Sequence, residues 1–549
     1  MKLRAVLKRK CDQAQQNKLK KIKFSSTLPD DYIFMILTFL NTSFITQTCM
    51  LVSKQFYTQS LFVPLSLQVN SKEQLAWIST ERRDALNLAE LSVSHKITHE
   101  ACEFIANCTR MMSLKRLFLS SCGKMSVETC RLLDSPNLTN LTQLDLCGLK
   151  IENSACAAIV NSRYLTKLTS LDLSDNDMDG VGLETLVNST KMINLTDLNL
   201  SDMINLDNKG WKTLISSPNS VNLTRLNVSE SFVNDFIFPI PLLKLKELDV
   251  SLNTFEPIST FIKGSNVCNL TTLNLENCRV GDDGCYCIAQ SKQLSNLTDL
   301  DLASNRIGDL GCRYLSESAY LKLKRLGLYG NGNIGDEGCK SIAKSQSMSQ
   351  IKYLGFFVFG TTEITCKGVR HLAKSPHMSQ LEQIILSNVD MNVHGCTYIA
   401  KSQYFRFLKS ILMVNCCIDA PSCRILSHSV NLNHLTSLWL KKNKSLDDMA
   451  CYHLAQSPHL SNLTDLRLDE CSIKAGGCKA LSHSPYLTNL TVLSLRGNKI
   501  GNEGCLHLAS SATFSNLEIL NVSLNGVDGV GSAYLKNSPY LKNLLQSHN

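Results

Sequence analysis

Cysteine offers the widest chemistry in this chain, with 23 among 549 residues. A thiolate can attack a carbonyl, ligate zinc or enter a disulfide, and spacing separates these uses. Cys285-x-Cys287 and Cys416-Cys417 lack a second ligand pair at zinc-finger spacing, so no metal site is expected. Cys102, Cys130, Cys156, Cys285, Cys312, Cys339, Cys366, Cys396, Cys423, Cys451, Cys478 and Cys505 fall in one slot of a repeating pattern, near the start of a helix. A thiol repeated at one helical position reads as a small buried hydrophobe and a poor nucleophile. So many free thiols suit a reducing compartment. Histidines such as His371, His453 and His507 repeat no partner pattern, and there is no phosphate loop, nucleophile elbow or His-Glu metal helix. The chain is expected to be non-catalytic, with no cofactor.

The element that positions these residues is a repeat. Leu168-x-x-Leu171-x-Leu173-x-x-Asn176-x-Met178 returns as Leu297-x-x-Leu300-x-Leu302-x-x-Asn305-x-Ile307 and Leu490-x-x-Leu493-x-Leu495-x-x-Asn498-x-Ile500. Each block precedes a helical stretch such as Gly504-Cys505-Leu506-His507-Leu508-Ala509. Successive units begin at 88, 114, 141, 168, 195, 223, 245, 270, 297, 323, 351, 381, 408, 435, 463, 490 and 517, and Leu541-x-x-Leu544 closes the array. The pattern resembles the leucine-rich repeat of ribonuclease-inhibitor type. That resemblance implies an α/β solenoid over residues 86–549, a horseshoe with a parallel concave sheet and convex helices. Cys122, Cys278, Cys416 and Cys471 stand where other units have Asn176, Asn305 or Asn498, a side chain that satisfies turn backbone. The Asn-Leu-Thr triplets at Asn140, Asn194, Asn222, Asn269, Asn296, Asn462 and Asn489 recur with the repeat and read as structural rather than as glycosylation sites.

Three segments precede the array. Residues 1–25 form a basic tail, expected to be disordered, whose first 23 residues hold nine Lys/Arg against Asp12, a net +8 of the whole chain's +9. Lys8-Arg9-Lys10 in this tail offers a nuclear import signal. Residues 26–68 read as a small helical module: Ser26 or Thr27 caps Leu28-Pro29, Ile33, Ile36, Leu37 and Leu40 recur at helical spacing, and Ile45, Cys49, Val52 and Phe56 follow a break. Residues 69–85 are a linker or N-terminal cap. The stretch Leu28-Pro29-Asp30-Asp31-Tyr32-Ile33-Phe34-Met35-Ile36-Leu37-Thr38-Phe39-Leu40 with Leu51-Val52-Ser53-Lys54-Gln55-Phe56-Tyr57 resembles an F-box. It departs from that family in Phe56, where Trp is commoner, and in the polar run 42–48. The resemblance implies docking of a Skp-type adaptor and a cullin scaffold through Leu28, Pro29, Ile33, Ile36, Leu37, Leu40, Val52 and Phe56.

In each unit the strand leucines point inward and the residues between them face the concave side, so their chemistry reports on a partner. Early and middle units offer Asp145, Asp172, Asp197, Glu247, Asp249, Glu276, Asp299 and Asp301. Later ones turn apolar, and the last turn basic. The protein substrate is expected on this face at Tyr329, Tyr353, Phe357, Ile385, Leu412, Trp439, Lys441, Arg467 and Arg496, because aromatic and arginine side chains dominate interface energetics. Lys441, Lys442, Arg467 and Arg496 also suggest a site for an anionic group. The period breaks twice, at the Pro-containing units from Leu223 and Leu245 and at the long unit from Ile351.

The combined reading is the substrate-recognition subunit of a cullin–RING ubiquitin ligase. A leucine-rich-repeat binding scaffold or inhibitor outside ubiquitin transfer is the alternative. A GTPase-activating role stands third, since no arginine or asparagine stands out as a catalytic donor. No run of 18 apolar residues and no signal-peptide stretch occurs, so a soluble cytoplasmic protein is expected, with the nucleus as second compartment and no membrane or specific nucleic-acid partner.

Overall fold

The computed structural model describes Leu37, residues 63–71, Gln74, and residues 87–93, 98–108, 112–119, 124–189, 193–232, 242–254, 258–264, 268–356, 362–544 and 546–548. Of the expected adaptor-binding residues only Leu37 is among them, buried and helical. Leu28, Pro29, Ile33, Ile36, Leu40, Val52 and Phe56 lie outside the described residues, as do the basic tail and Phe357.

The chain divides into two units, Met1–Ser231 and Phe232–Asn549. In the first, parallel strands follow in chain order: Leu65–Val69, Leu88–Val93, Arg116–Phe118, Gln143–Asp145, Ser170–Asp172, Asp197–Asn199 and Arg225–Asn227. The sheet therefore starts before the expected repeat boundary, inside the segment read as the helical module. Leu65 and Val69 are buried on one side of a strand that pairs with the first repeat strand and covers its edge.

The second unit is built the same way. Its strands are Glu247–Asp249, Thr272–Asn274, Asp299–Asp301, Arg325–Gly327, Tyr353–Phe356, Gln383–Ser387, Ser410–Val414, Ser437–Trp439, Asp465–Arg467, Val492–Ser494, Ile519–Asn521 and Gln546–His548. Leu273, Leu300, Leu326, Leu354, Ile384, Ile411, Leu438, Leu466 and Leu493 pair in unbroken register. All of them are buried. Constant register turns equal repeat positions into rows along the sheet. One row faces the core, and the alternate rows face outward.

Helices pack behind the strands, and the slot near the helix start explains the cysteines. Cys285, Cys312, Cys339, Cys396, Cys423, Cys451, Cys478 and Cys505 are fully buried. A Cβ on the glycine one repeat on would come within 3.2 Å of the sulfur before it: Gly311 on Cys285, Gly368 on Cys339, Gly477 on Cys451. Glycine and cysteine are thus complementary halves of one stacking contact. Burial pushes the Cys156 and Cys396 thiols up to about 12, which removes the thiolate at neutral pH. Cys366 is a correction. It opens its helix, Cys366–Ala373, and is half-buried, while Val369 after Gly368 fills the slot. Burial in the helix stack, behind a small residue such as Gly368, Ser422 or Ala450, defines the position rather than a count along the sequence. Leu183 and Trp211 fill it in the first unit, also buried behind Gly182 and Gly210.

Aspartate supplies a second stacking contact. Asp309 sits in the first turn of Asp309–Ser316, yet its Oδ1 accepts from the backbone N–H of Gly335 and Gly338, both at 2.7 Å, at the start of the next helix, Asp336–Lys344. Asp282 does the same for Gly308 and Gly311, and Asp336 for Thr365 and Gly368. Gly338 lets the carboxylate approach, since a Cβ there would lie 2.6 Å from Asp309 Oδ1. Asp309→Ala leaves two N–H groups at a helix N-terminus without an acceptor and is expected to cost about 1–2 kcal/mol. A lowered urea midpoint against wild type checks this, and an unchanged midpoint means that water caps the helix equally well.

The Asn-Leu-Thr triplets also stack repeats. Asn296 Nδ2 donates to Cys268 O at 2.9 Å and Thr298 Oγ1 to Thr271 O at 3.3 Å, each a carbonyl of the unit before. Among the described residues no helix is long and apolar enough to cross a membrane, and no group of three His, Cys, Asp or Glu is placed to hold a metal.

Candidate functional site

The outward rows of the second unit carry two clusters in which aromatic rings and cations are already assembled. The first is centred on Arg325, which precedes Leu326 in its strand and pairs in register with Tyr353. Its guanidinium carbon lies 3.9 Å from the centroid of the Tyr353 ring, its Nε 3.3 Å from Asp299 Oδ1, and one terminal nitrogen donates to Tyr329 Oη at 3.4 Å. The two tyrosine hydroxyls hydrogen-bond each other. Two glycines make this packing possible. A Cβ on Gly327 would lie 2.7 Å from Asp301 Oδ1, and one on Gly355 2.6 Å from Tyr329 Cε1. Burial raises the Asp299 and Asp301 carboxyls, while Arg325 pulls both down. Burial likewise raises both tyrosine hydroxyls, which stay protonated and able to donate at neutral pH.

The second cluster is centred on Trp439. Arg467 stacks on the ring with its guanidinium carbon 4.3 Å from the centroid, and Lys441 Nζ sits at 4.8 Å. The indole Nε1 donates to Asp465 Oδ2 at 3.0 Å, and Arg467 Nε donates to Oδ1 of the same carboxylate at 2.9 Å. One carboxylate thus holds the ring and its stacked cation in a fixed orientation. Lys441 pairs with Asp469 at 3.2 Å, and Asp469 also accepts from Ser494 Oγ and from the Arg496 N–H at 3.1 Å. Arg496 in turn faces Glu470 at 3.7 Å.

The expected substrate residues fall on this face with unequal standing. Tyr329, Tyr353, Trp439, Lys441 and Arg467 are half-buried, and Arg496 is exposed. Ile385 and Leu412 keep only 8% of their surface. They are neighbours in one row with Trp439, and bulky side chains on adjacent strands cover each other. The expectation of open apolar contacts fails at those two. The cationic group also differs from its sequence reading. Lys441, Arg467 and Arg496 each face a carboxylate, so Lys442 is the cation of the four that no ion pair compensates among the described residues. A partnered cation holds an incoming phosphate far less strongly than a free one.

Arg325, Asp299 and Asp465 organise these clusters; the sequence reading placed Asp299 on the outward face but counted none of the three among the substrate-binding residues. The signal that reveals them is alignment at fixed register: Arg325 and Tyr353 share one row, as do Leu412, Trp439 and Arg467.

A leucine-rich-repeat family model matches residues 164–187, 268–289, 293–316, 321–343 and 486–509. The chain carries leucine-rich repeats, in agreement with the parallel strands and the helices stacked behind them. Among solved structures it aligns with an internalin of Listeria monocytogenes at 20% identity, covering 75% of this chain and 88% of that one, with a TM-score of 0.34. It also aligns with a leucine-rich-repeat protein of Leptospira interrogans at 17% identity, covering 82% and 98%, with a TM-score of 0.37. No curated protein sequence matches the chain.

Proposed function

We propose that this is a non-catalytic receptor: the outward sheet face of the second unit binds a protein partner, and residues 26–60 dock a Skp-type adaptor of a cullin–RING ubiquitin ligase. The observation that carries the binding half is the Trp439 cluster. A tryptophan clasped by Arg467 and Lys441, and oriented by Asp465, needs no rearrangement before it meets a partner. Preorganised aromatic and arginine anchors are what interface energetics favour. The adaptor half rests on the F-box resemblance at Leu28-Pro29, Ile33, Leu40 and Val52-Ser53-Lys54. In this reading the protein performs no bond chemistry. It raises the local concentration of partner lysines near a charged conjugating enzyme.

Binding of the full chain to the purified adaptor, beside the Leu28→Ala/Pro29→Ala double variant, tests the proposal. The expected result is binding by wild type and at least 100-fold weaker binding by the variant. No binding by a folded wild-type chain would sink the ligase reading and leave a leucine-rich-repeat binding scaffold, with residues 26–60 as a cap.

A further inference from the structure

Strand by strand, the outward face of the second unit changes chemistry in a fixed order. Its first strand carries Glu247 and Asp249, and Glu276 stands two residues past the end of the second, Thr272–Asn274. Among the described residues none of the three has an ion-pair partner. Asp249 is held by Ser251 and Asn274 instead, at 2.9 Å each. Glu276 is exposed and lies in the field of Asp249 and Asp301. The next strands carry Arg325, matched by Asp299 and Asp301, with the Tyr329 and Tyr353 rings beside it. Then come Ile385, Leu412 and the Trp439 cluster with its stacked cations Lys441 and Arg467, and beyond it Arg496 facing Glu470.

We propose that this face takes one extended segment of a partner protein, laid across the strands, with basic side chains over Glu247, Asp249 and Glu276 and an apolar anchor against Trp439. This rests on the reading of the sheet face as the partner site and adds the chemistry, direction and spacing of what binds. Charge complementarity sets the direction. The carboxylates without an ion-pair partner among the described residues lie at one end, whereas Arg325, Lys441, Arg467 and Arg496 are each matched by a carboxylate, so that end alone offers unbalanced negative charge to a basic side chain. Register sets the spacing. The strand before Glu276 and that of Trp439 are six intervals apart. At about 4.8 Å per interval the basic and apolar groups must stand about 29 Å apart, which an extended chain at about 3.3 Å per residue spans in about nine residues.

The test uses fluorescein-labelled peptides and the full chain in a polarisation titration. One peptide carries Arg-Lys-Arg, then eight Gly/Ser residues, then Leu-Trp. A second shortens the spacer to two residues, and a third replaces Arg-Lys-Arg by Glu-Asp-Glu. The first is expected to bind at least tenfold more tightly than either other. Glu247→Lys/Glu276→Lys is expected to weaken it at least tenfold and to strengthen the acidic peptide. Equal affinity for all three peptides, or no effect of the double variant, would overturn the proposal. Adaptor binding is measured on the same preparation. Failure of the first peptide on a chain that still binds adaptor overturns this inference alone, whereas peptide binding without adaptor binding supports it and overturns the ligase reading alone.

Discussion

Replacing Asn305 by leucine is expected to cost the second unit about 3–5 kcal/mol. The side chain is fully buried and serves four backbone groups at once. Its Nδ2 donates to Leu275 O at 2.7 Å and Ala303 O at 2.9 Å, and its Oδ1 accepts from Cys278 N at 2.9 Å and Val280 N at 3.0 Å. Leucine fills the volume but leaves Leu275 O, Cys278 N and Val280 N buried without partners, while Ala303 O keeps the Asn277 N–H at 2.8 Å, and each orphaned group costs about 1–3 kcal/mol before relaxation. Cysteine should cost roughly half as much, because the chain itself uses it in this row. Cys278 Sγ contacts Val250 O at 3.2 Å, and Cys471 Sγ contacts Leu440 O at 3.3 Å, so the thiol keeps a donor while giving up a strong acceptor. Urea titration of wild type, Asn305→Cys and Asn305→Leu should give midpoints in that order. Equal midpoints for the two variants would show that the acceptor half of the amide carries the whole effect. Because repeats are stabilised by their nearest neighbours, hydrogen exchange should accelerate first in the turns at residues 275–280 and 303–307.

Trp439→Ala is expected to weaken binding of the spaced basic peptide by roughly 30-fold or more, since truncating a central aromatic anchor costs about 2 kcal/mol or more. The substitution removes the ring on which Arg467 and Lys441 stack, and it frees Asp465 to neutralise Arg467 alone. Trp439→Phe keeps the apolar face but loses the donor to Asp465, and should fall between the two. The urea midpoint should move little, because the ring is half-exposed and the inward row beside it, Leu438 and Leu440, stays intact. A parallel fall in midpoint and affinity would show that Trp439 acts through the fold instead of through contact with a partner.

The order of these effects reflects how the chain is specified. Every inward leucine, the Asn-or-Cys row and the glycine–cysteine pairing recur at one period, so a single sequence shows each many times and noise averages out. The Asn-Leu-Thr triplets were legible as structural for the same reason, and the structure supplies their bonds. Cys366 was misread because counting residues misses a shift that packing resolves: Gly368 meets Cys339, which places Val369 in the slot. Asp309 was invisible as a cap because its partners, Gly335 and Gly338, belong to the next repeat.

The site shows the same division. Residue types on alternate strand positions are written in the sequence, and they sufficed to point to Tyr329, Tyr353, Trp439 and Arg467. Whether such residues are open, covered or paired depends on which side chains register brings alongside, about 4.8 Å away across the sheet yet some 27 positions distant in the chain. Only the tertiary structure could bury Ile385 and Leu412 among their row neighbours, neutralise Lys441 and Arg496, and stack Arg325 on Tyr353. The sequence alone determined the repeat, its period and which rows face inward, because those follow from local alternation and hydrophobic burial. Pairing of charges and rings between repeats was decided by tertiary structure, because electrostatic and stacking energies fall off within a few ångströms and depend on geometry that no linear pattern carries.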